Sequence, residues 1–247
     1  MSSNEFPHRV GPPQGLVPVV VAGLIDRIHK GEFPAGSAVP TVSVLSDDYG
    51  VSRTVIREAL RILQEKGLID TRQGSGTVVR DYTSWNLLDP EVLAAQMRHD
   101  SSLERLASLV QIRAAVESEM ARAAADRITD AEIEQLKKLL DELKENRNDS
   151  AAYADTDLKF HGLVMAISGN QFGRLIVGTV VTWARSVPRP DEQLPSAIQA
   201  SYRSHSEVFR RITAHDSAGA AEAMRRHIME SWGSKLDAVL KSTVAKR

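Results

Sequence analysis

The sequence predicts a mainly α-helical chain in two parts: a small N-terminal helical module closed by a β-hairpin, then an all-helical bundle. Apolar residues recur at helical spacing along most of the 247 residues. Aromatics make up only 5% of the chain while Ala, Leu and Val are plentiful, which favours helices over a large β-sandwich. One Gly-rich tip, Gln73-Gly74-Ser75-Gly76, separates two short β-type runs.

Residues 1–15 are proline-rich with little apolar pattern and are expected as a disordered arm. Val17, Val20, Val21, Leu24, Ile25 and Ile28 then form a helical stripe that stops at Lys30-Gly31. Gly31–Pro40 is punctuated as a loop. Thr41 is placed to cap a short helix through Val44, Leu45 and Asp48, and Tyr49-Gly50-Val51 makes a tight turn. Ser52 caps a second helix through Val55, Ile56, Ala59, Leu60 and Leu63, stopped by Gly67. Leu68-Ile69-Asp70 and Thr77-Val78-Val79 supply the hairpin strands. This first domain spans 16–80, and residues 81–90 (DYTSWNLLDP) break the pattern as a linker. From 91 to 243 the chain reads as helices. Leu103, Leu106, Leu109, Val110, Ile112, Val116 and Met120 form one long stripe. Thr129 and Glu132 form a capping box. Further helices are predicted near 151–167, 172–186, 197–214 and 217–240.

Composition narrows the function. Hydrophobics at 42% and charged residues at 26% give an ordinary globular balance. The absence of cysteine excludes disulfides, iron–sulfur clusters and thiolate metal sites. There is no membrane-length apolar run and no signal-peptide core, so a soluble cytoplasmic protein with no membrane partner is expected. A net charge of -1 excludes a uniformly basic nucleic-acid coat but allows a local basic surface.

Such a surface is present. Between Ser52 and Arg80, six Lys/Arg stand against three acids. Two helices joined by a glycine turn and followed by a hairpin are the order of a winged helix-turn-helix, whose second helix enters the major groove. Ser52, Arg53 and Thr54 open that helix, and Arg57 and Arg61 follow along one side. Guanidinium suits guanine edges or phosphate, and hydroxyls suit phosphate. A charge cluster alone would read as a solvated face; the order of elements favours DNA.

The run VPTVSVLSDDYGVSRTVIREALRILQEKGLIDTRQGSGTVV resembles the DNA-binding domain of the GntR family of bacterial transcription regulators, above all in GVSRT-x-x-REAL-x-x-L-x-x-x-GL and the glycine-containing wing. The resemblance implies DNA contacts from Ser52, Arg53, Thr54 and Arg57, with the wing tip at Gln73 and Gly74 reaching the minor groove. The sequence departs from the family at Pro40-Thr41-Val42, where Pro-Ser/Ala-Glu is usual, and at Ser43, where Arg is common.

Seven histidines are present, and three deserve attention. Asp157 and His161 stand at i, i+4, so both leave one helix face, shared with Ala154, Val164 and Met165. His205 lies among Ile198, Tyr202, Phe209 and Ile212; His227 shares its face with Ala220, Ala223, Met224 and Ser231. Each alone reads as a hydrogen-bonded core histidine. Together they read as three imidazoles and a carboxylate suited to a divalent first-row metal.

Residues 100–240 resemble the all-helical ligand-binding (FCD) domain of the FadR-type branch of the same family, through Asp157-x-x-x-His161, His205 in YRSHSEVFRRI and His227 in AAEAMRRHI. The resemblance implies a divalent metal on Asp157, His161, His205 and His227, with zinc expected and nickel or manganese as alternatives. It also implies an effector carboxylate on that metal. Arg113 is expected to face the effector, although Arg113 and Glu117 equally read as an i, i+4 ion pair. Arg185 and Trp183 are further lining candidates, with core or surface placement equally open. The stretch Trp85–Leu93 resembles the junction of galactonate and gluconate regulators of this branch, which points to a sugar acid. The protein the resemblance implies is a homodimeric repressor of a palindromic operator rather than an enzyme. Two alternatives stand beside it: a regulator that senses the metal itself, and a metal-dependent hydrolase fused to a DNA-binding head. The second lacks an H-E-x-x-H pair or an evident nucleophile.

Overall fold

The computed structural model describes the backbone of residues 15–72, 76–98, 104–186 and 195–244, and their side chains except at 72, 182–186 and 232–244. It is mainly helical with one two-stranded sheet among the described residues. The chain divides into two compact units that meet between residues 99 and 100.

The first unit begins with α1 (Leu16–His29), which buries Val20, Val21, Leu24, Ile25 and Ile28. Helix α2 (Val42–Tyr49) is capped by Thr41, whose side chain accepts from the Val44 N–H, and ends on Gly50 in the left-handed region (φ 63). Ser52 caps α3 (Arg53–Glu65) in the same way through the Val55 N–H. Strands β1 (Ile69–Arg72) and β2 (Gly76–Val79) pair antiparallel, with Ile69 opposite Val79. Leu24, Leu45, Ile56, Leu63 and Leu68 are fully buried in the core that α1, α2, α3 and the hairpin share.

The segment 81–90, a linker by sequence, is tied down along its length in the structure. A 3-10 turn at Tyr82–Ser84 is capped by Asp81. The Trp85 ring packs tilted against His29, with centroids 4.9 Å apart, and its indole N–H donates to Arg80 O. The Asn86 N–H bonds Lys66 O at 3.0 Å. Asp89 then caps α4 (Pro90–Arg98) by accepting from the Glu91 and Val92 N–H groups. Its other oxygen lies 2.6 Å from Lys66 Nζ. Helix α4 packs on α1, so residues 91–98 belong with the first unit rather than with the bundle.

The second unit comprises α5 (Glu104–Arg127), α6 (Asp130–Glu145), α7 (Ser150–Ser168), α8 (Gln171–Ser186), α9 (Pro195–Thr213) and α10 (Ser217–Val244). The Thr129/Glu132 capping box opens α6, and Asp149 caps α7. Helix α5 packs against α7, α8, α9 and α10. Its buried face differs from the expected stripe: Val110 and Met120 are buried, but Ile112 is 48% exposed. Small residues dominate instead, with Ala114, Ala121, Ala124 and Ala125 buried beside Arg113 and Glu117. Alanines let neighbouring helices approach closely, so the large apolar residues are not the ones the packing selects. Phe160, Leu136, Leu143, Val208, Ile212 and Met224 complete the core. Among the described residues no helix is long and apolar enough to cross a membrane.

Candidate metal centre and DNA-recognition helix

Helix α3 has two faces. Ile56, Ala59 and Leu63 are buried, while Ser52, Arg53, Thr54, Arg57 and Arg61 are exposed. The four predicted contact residues at the start of this helix therefore share one solvent-facing surface. The arginines on it are not equivalent. Arg53 Nη2 lies 3.4 Å from Ser43 Oγ. Arg61 is held by Glu58 (2.6 Å) and Glu65, one turn to either side. Among the described residues Arg57 makes no hydrogen bond or ion pair, so its guanidinium is available to a ligand. Gln73 and Gly74, the predicted wing tip, lie outside the described residues.

In the bundle, Asp157 and His161 project from α7, His205 from the middle of α9 and His227 from α10. The three histidines are 0–3% exposed. One ligand atom from each of the four residues lies within 4.8 Å of the others. His161 Nε2 is 3.1 Å from His227 Nε2, and His205 Nε2 is 3.1 Å from Asp157 Oδ1. The remaining ring nitrogens are engaged elsewhere. His161 Nδ1 lies 2.5 Å from Glu117 Oε2, His205 Nδ1 lies 2.8 Å from Ser201 O, and His227 Nδ1 lies 2.7 Å from Ser204 Oγ. Phe160 meets the His205 ring edge-on at 5.0 Å, and Tyr153 does so at 6.4 Å.

The electrostatics follow from this crowding. Burial opposes ionisation of Asp157, but the neighbouring His205, His161 and His227 outweigh it and hold the carboxyl well below its usual range. Burial, then the neighbouring His205 and His161, hold the His227 imidazole well below its ordinary value. The site thus favours a carboxylate beside a neutral imidazole, the forms that bind metal.

These residues fit a divalent cation. Atoms bound about 2.1 Å from one ion stand roughly 3.0–4.2 Å from each other, and the separations of 3.1 and 4.0 Å match. His205 Nε2 is buried and makes no well-aligned hydrogen bond. That is the behaviour of a lone pair aimed at a shared centre rather than at a proton. The four residues brought together are the four the sequence singles out.

Arg113 is buried, and its Nε donates to Glu117 Oε1. The i, i+4 ion pair is therefore present, and it lies inside the bundle. The side chains of Trp183 and Arg185 lie outside the described residues. The sequence does not single out Ser201 or Ser204, and it marks Glu117 only as the ion-pair partner of Arg113. Only the Arg113–Glu117 spacing carried a signal for any of them.

Residues 17–79 match the bacterial regulatory proteins of the gntR family, and residues 108–230 match the FCD domain. The two matches together span most of the chain. The chain belongs to the GntR family. It is a GntR regulator of the FCD (FadR-type) branch, a class of transcriptional regulators rather than enzymes. Among its relatives is the galactonate operon transcriptional repressor of Escherichia coli K12, 28% identical over 84% of this chain and 82% of that one. Another is the regulator LutR of Bacillus subtilis 168, 25% identical over 81% of this chain and 92% of that one. The repressor NanR of Edwardsiella tarda is 28% identical over 89% and 85%. Lar, which controls expression of the Listeria monocytogenes agr system, shares the fold: TM-score 0.53 at 16% identity, covering 90% of this GntR regulator and 99% of Lar. The GntR module is the DNA-binding part of the chain, and the FCD domain holds the His/Asp cluster.

Proposed function

We propose that this GntR regulator is a homodimeric repressor whose hold on a palindromic operator is released by a small carboxylate bound at a metal in the FCD domain. One observation carries the reading: a buried Asp-His-His-His cluster with converging ligand atoms, in the same chain as a winged helix. Ser52, Arg53, Thr54 and Arg57 are the proposed operator contacts, joined by Gln73 and Gly74 of the wing. Asp157, His161, His205 and His227 are the proposed ligands. Zinc is the proposed ion, since imidazole and carboxylate suit it; nickel and manganese accept the same donors. As a regulator of operators, the protein acts in the bacterial cytoplasm.

The proposed effector is a sugar acid. A 2-hydroxy carboxylate offers two oxygens to one ion, and one relative is named for the galactonate operon. Arg113 contributes to effector binding only by sharing its guanidinium with Glu117. Such a fork has five N–H donors, of which the Nε one is taken. Trp183 and Arg185 complete the proposed effector contacts. To release DNA the effector must bind the DNA-incompetent state more tightly, because equal affinity shifts nothing.

The test is native mass spectrometry with metal analysis, followed by operator titration with galactonate and gluconate. The expected result is a dimer with one metal per chain that gains one sugar acid per chain and loses operator affinity. Unchanged operator affinity across a panel of carboxylates overturns the effector assignment. Release by a chelator alone, with no organic ligand, makes the metal itself the signal.

A further inference from the structure

Helix α5 carries none of the four proposed ligands, yet it buries a carboxylate against one of them. Glu117 is 1% exposed. Its Oε1 accepts from Arg113 Nε, and its Oε2 lies 2.5 Å from His161 Nδ1. No ligand role needs this side chain.

The hydrogen-bond partners fix where the ring protons sit. Ser201 O is a carbonyl and only accepts, so His205 Nδ1 carries a proton. The Ser204 hydroxyl donates to Ser201 O at 2.8 Å, so its oxygen accepts from His227 Nδ1. The Glu117 carboxylate likewise accepts from His161 Nδ1. A neutral imidazole has one ring N–H. With each ring in the neutral form that metal binding requires, all three Nε2 atoms present lone pairs. His161 and His227 Nε2 then face each other at 3.1 Å with no hydrogen between them, an arrangement a cation closes.

We propose that Glu117 is the positioning residue of the metal centre: it holds the His161 ring with Nδ1 protonated and Nε2 turned to Asp157, His205 and His227, and Arg113 anchors it there. The inference rests on the metal reading above. The three outer partners are unequal. Ser201 and Ser204 are neutral and both lie on α9, next to the ligands. Glu117 is charged and comes from a different helix. A carboxylate partner fixes a ligand's tautomer and raises its basicity. Glu117 is thus the connection between α5 and the ion. A buried ion pair with no such role would need only Arg113.

Nitrogen-15 spectra of the histidine rings in the metal-free full-length protein read each tautomer directly. Competition with a chromophoric chelator reads zinc affinity. Replacing the pair together, Arg113→Met with Glu117→Leu, removes the acceptor without leaving a buried cation unpaired. In this variant His161 is expected to lose its single tautomer while His205 and His227 keep theirs, and zinc binding weakens by about 10–100-fold. Glu117→Gln keeps an acceptor without the charge, and its affinity falls between the two; this single change also covers the case in which the paired variant does not fold. Unchanged zinc affinity and an unchanged His161 tautomer overturn the proposal and leave Glu117 as the partner of Arg113 alone. If the wild-type protein takes up no zinc, the ligand reading fails, and the tautomer spectra still decide whether Glu117 holds His161.

Discussion

Asp157 Oδ1 stands 3.1 Å from His205 Nε2, although the two residues sit on different helices, α7 and α9. An ion at this point would tie α7, α9 and α10 together, through ligands that only the folded chain brings to one place. Its stabilisation grows with free metal, to about 2.7 kcal/mol at a hundred times Kd. Asp157→Asn keeps the volume and removes the charge. The expected outcome is less than one metal per chain by elemental analysis, and loss of the rise in melting temperature that zinc gives the wild type.

The recognition helix makes a sharper prediction. Arg57 is exposed and free of partners among the described residues, whereas Arg61 is held by Glu58 and Glu65. Arg57→Ala is expected to weaken operator binding: by about 1–3 kcal/mol if the arginine reads a base, or with a salt slope lower by about one if it neutralises a phosphate. Arg61→Ala leaves the affinity close to wild type. Fluorescence anisotropy titrations at several salt concentrations measure both.

Acid stability of the metal-free protein is set in part by Glu117. Burial pushes its carboxyl up, but Arg113 and then His161 outweigh burial and bring it from an ordinary 4.5 to about 2. In the folded chain it stays ionised where the unfolded chain takes up a proton. Its contribution is complete above pH 4.5 and is lost as the pH falls to about 2, on the order of 3 kcal/mol in all. Glu117→Gln is expected to be less stable at pH 7 and to show a flatter stability profile below pH 4.5. Urea unfolding at a series of pH values gives the comparison.

Gly67 takes φ +77, and a Cβ there would lie 2.6 Å from Ser84 O. Both the backbone conformation and the close approach of the 81–90 segment require glycine. Gly67→Ala is expected to destabilise the protein by about 1–3 kcal/mol, seen as a lower urea midpoint by circular dichroism.

Much of this architecture was legible in the sequence because local chemistry announces it. Thr41, Ser52 and the Thr129/Glu132 box are short-range signals, and each cap forms as read. The ligand set was legible because Asp157 and His161 share a helix face and His205 and His227 sit on faces otherwise apolar or small. Asp89-Pro90 carries its own signal, an N-cap aspartate followed by proline at the first helical position. The buried face of α5 is not legible from the apolar stripe, because side-chain hydrophobicity does not show which neighbours demand small residues. Glu117 was half legible. Its bond to Arg113 is one helical turn away, while its bond to His161 depends on how α5 packs against α7.

The candidate ligands are nitrogen and oxygen atoms, and the chain contains no cysteine. Thiol oxidation and disulfide exchange act on cysteine sulfur and find no target among these four side chains.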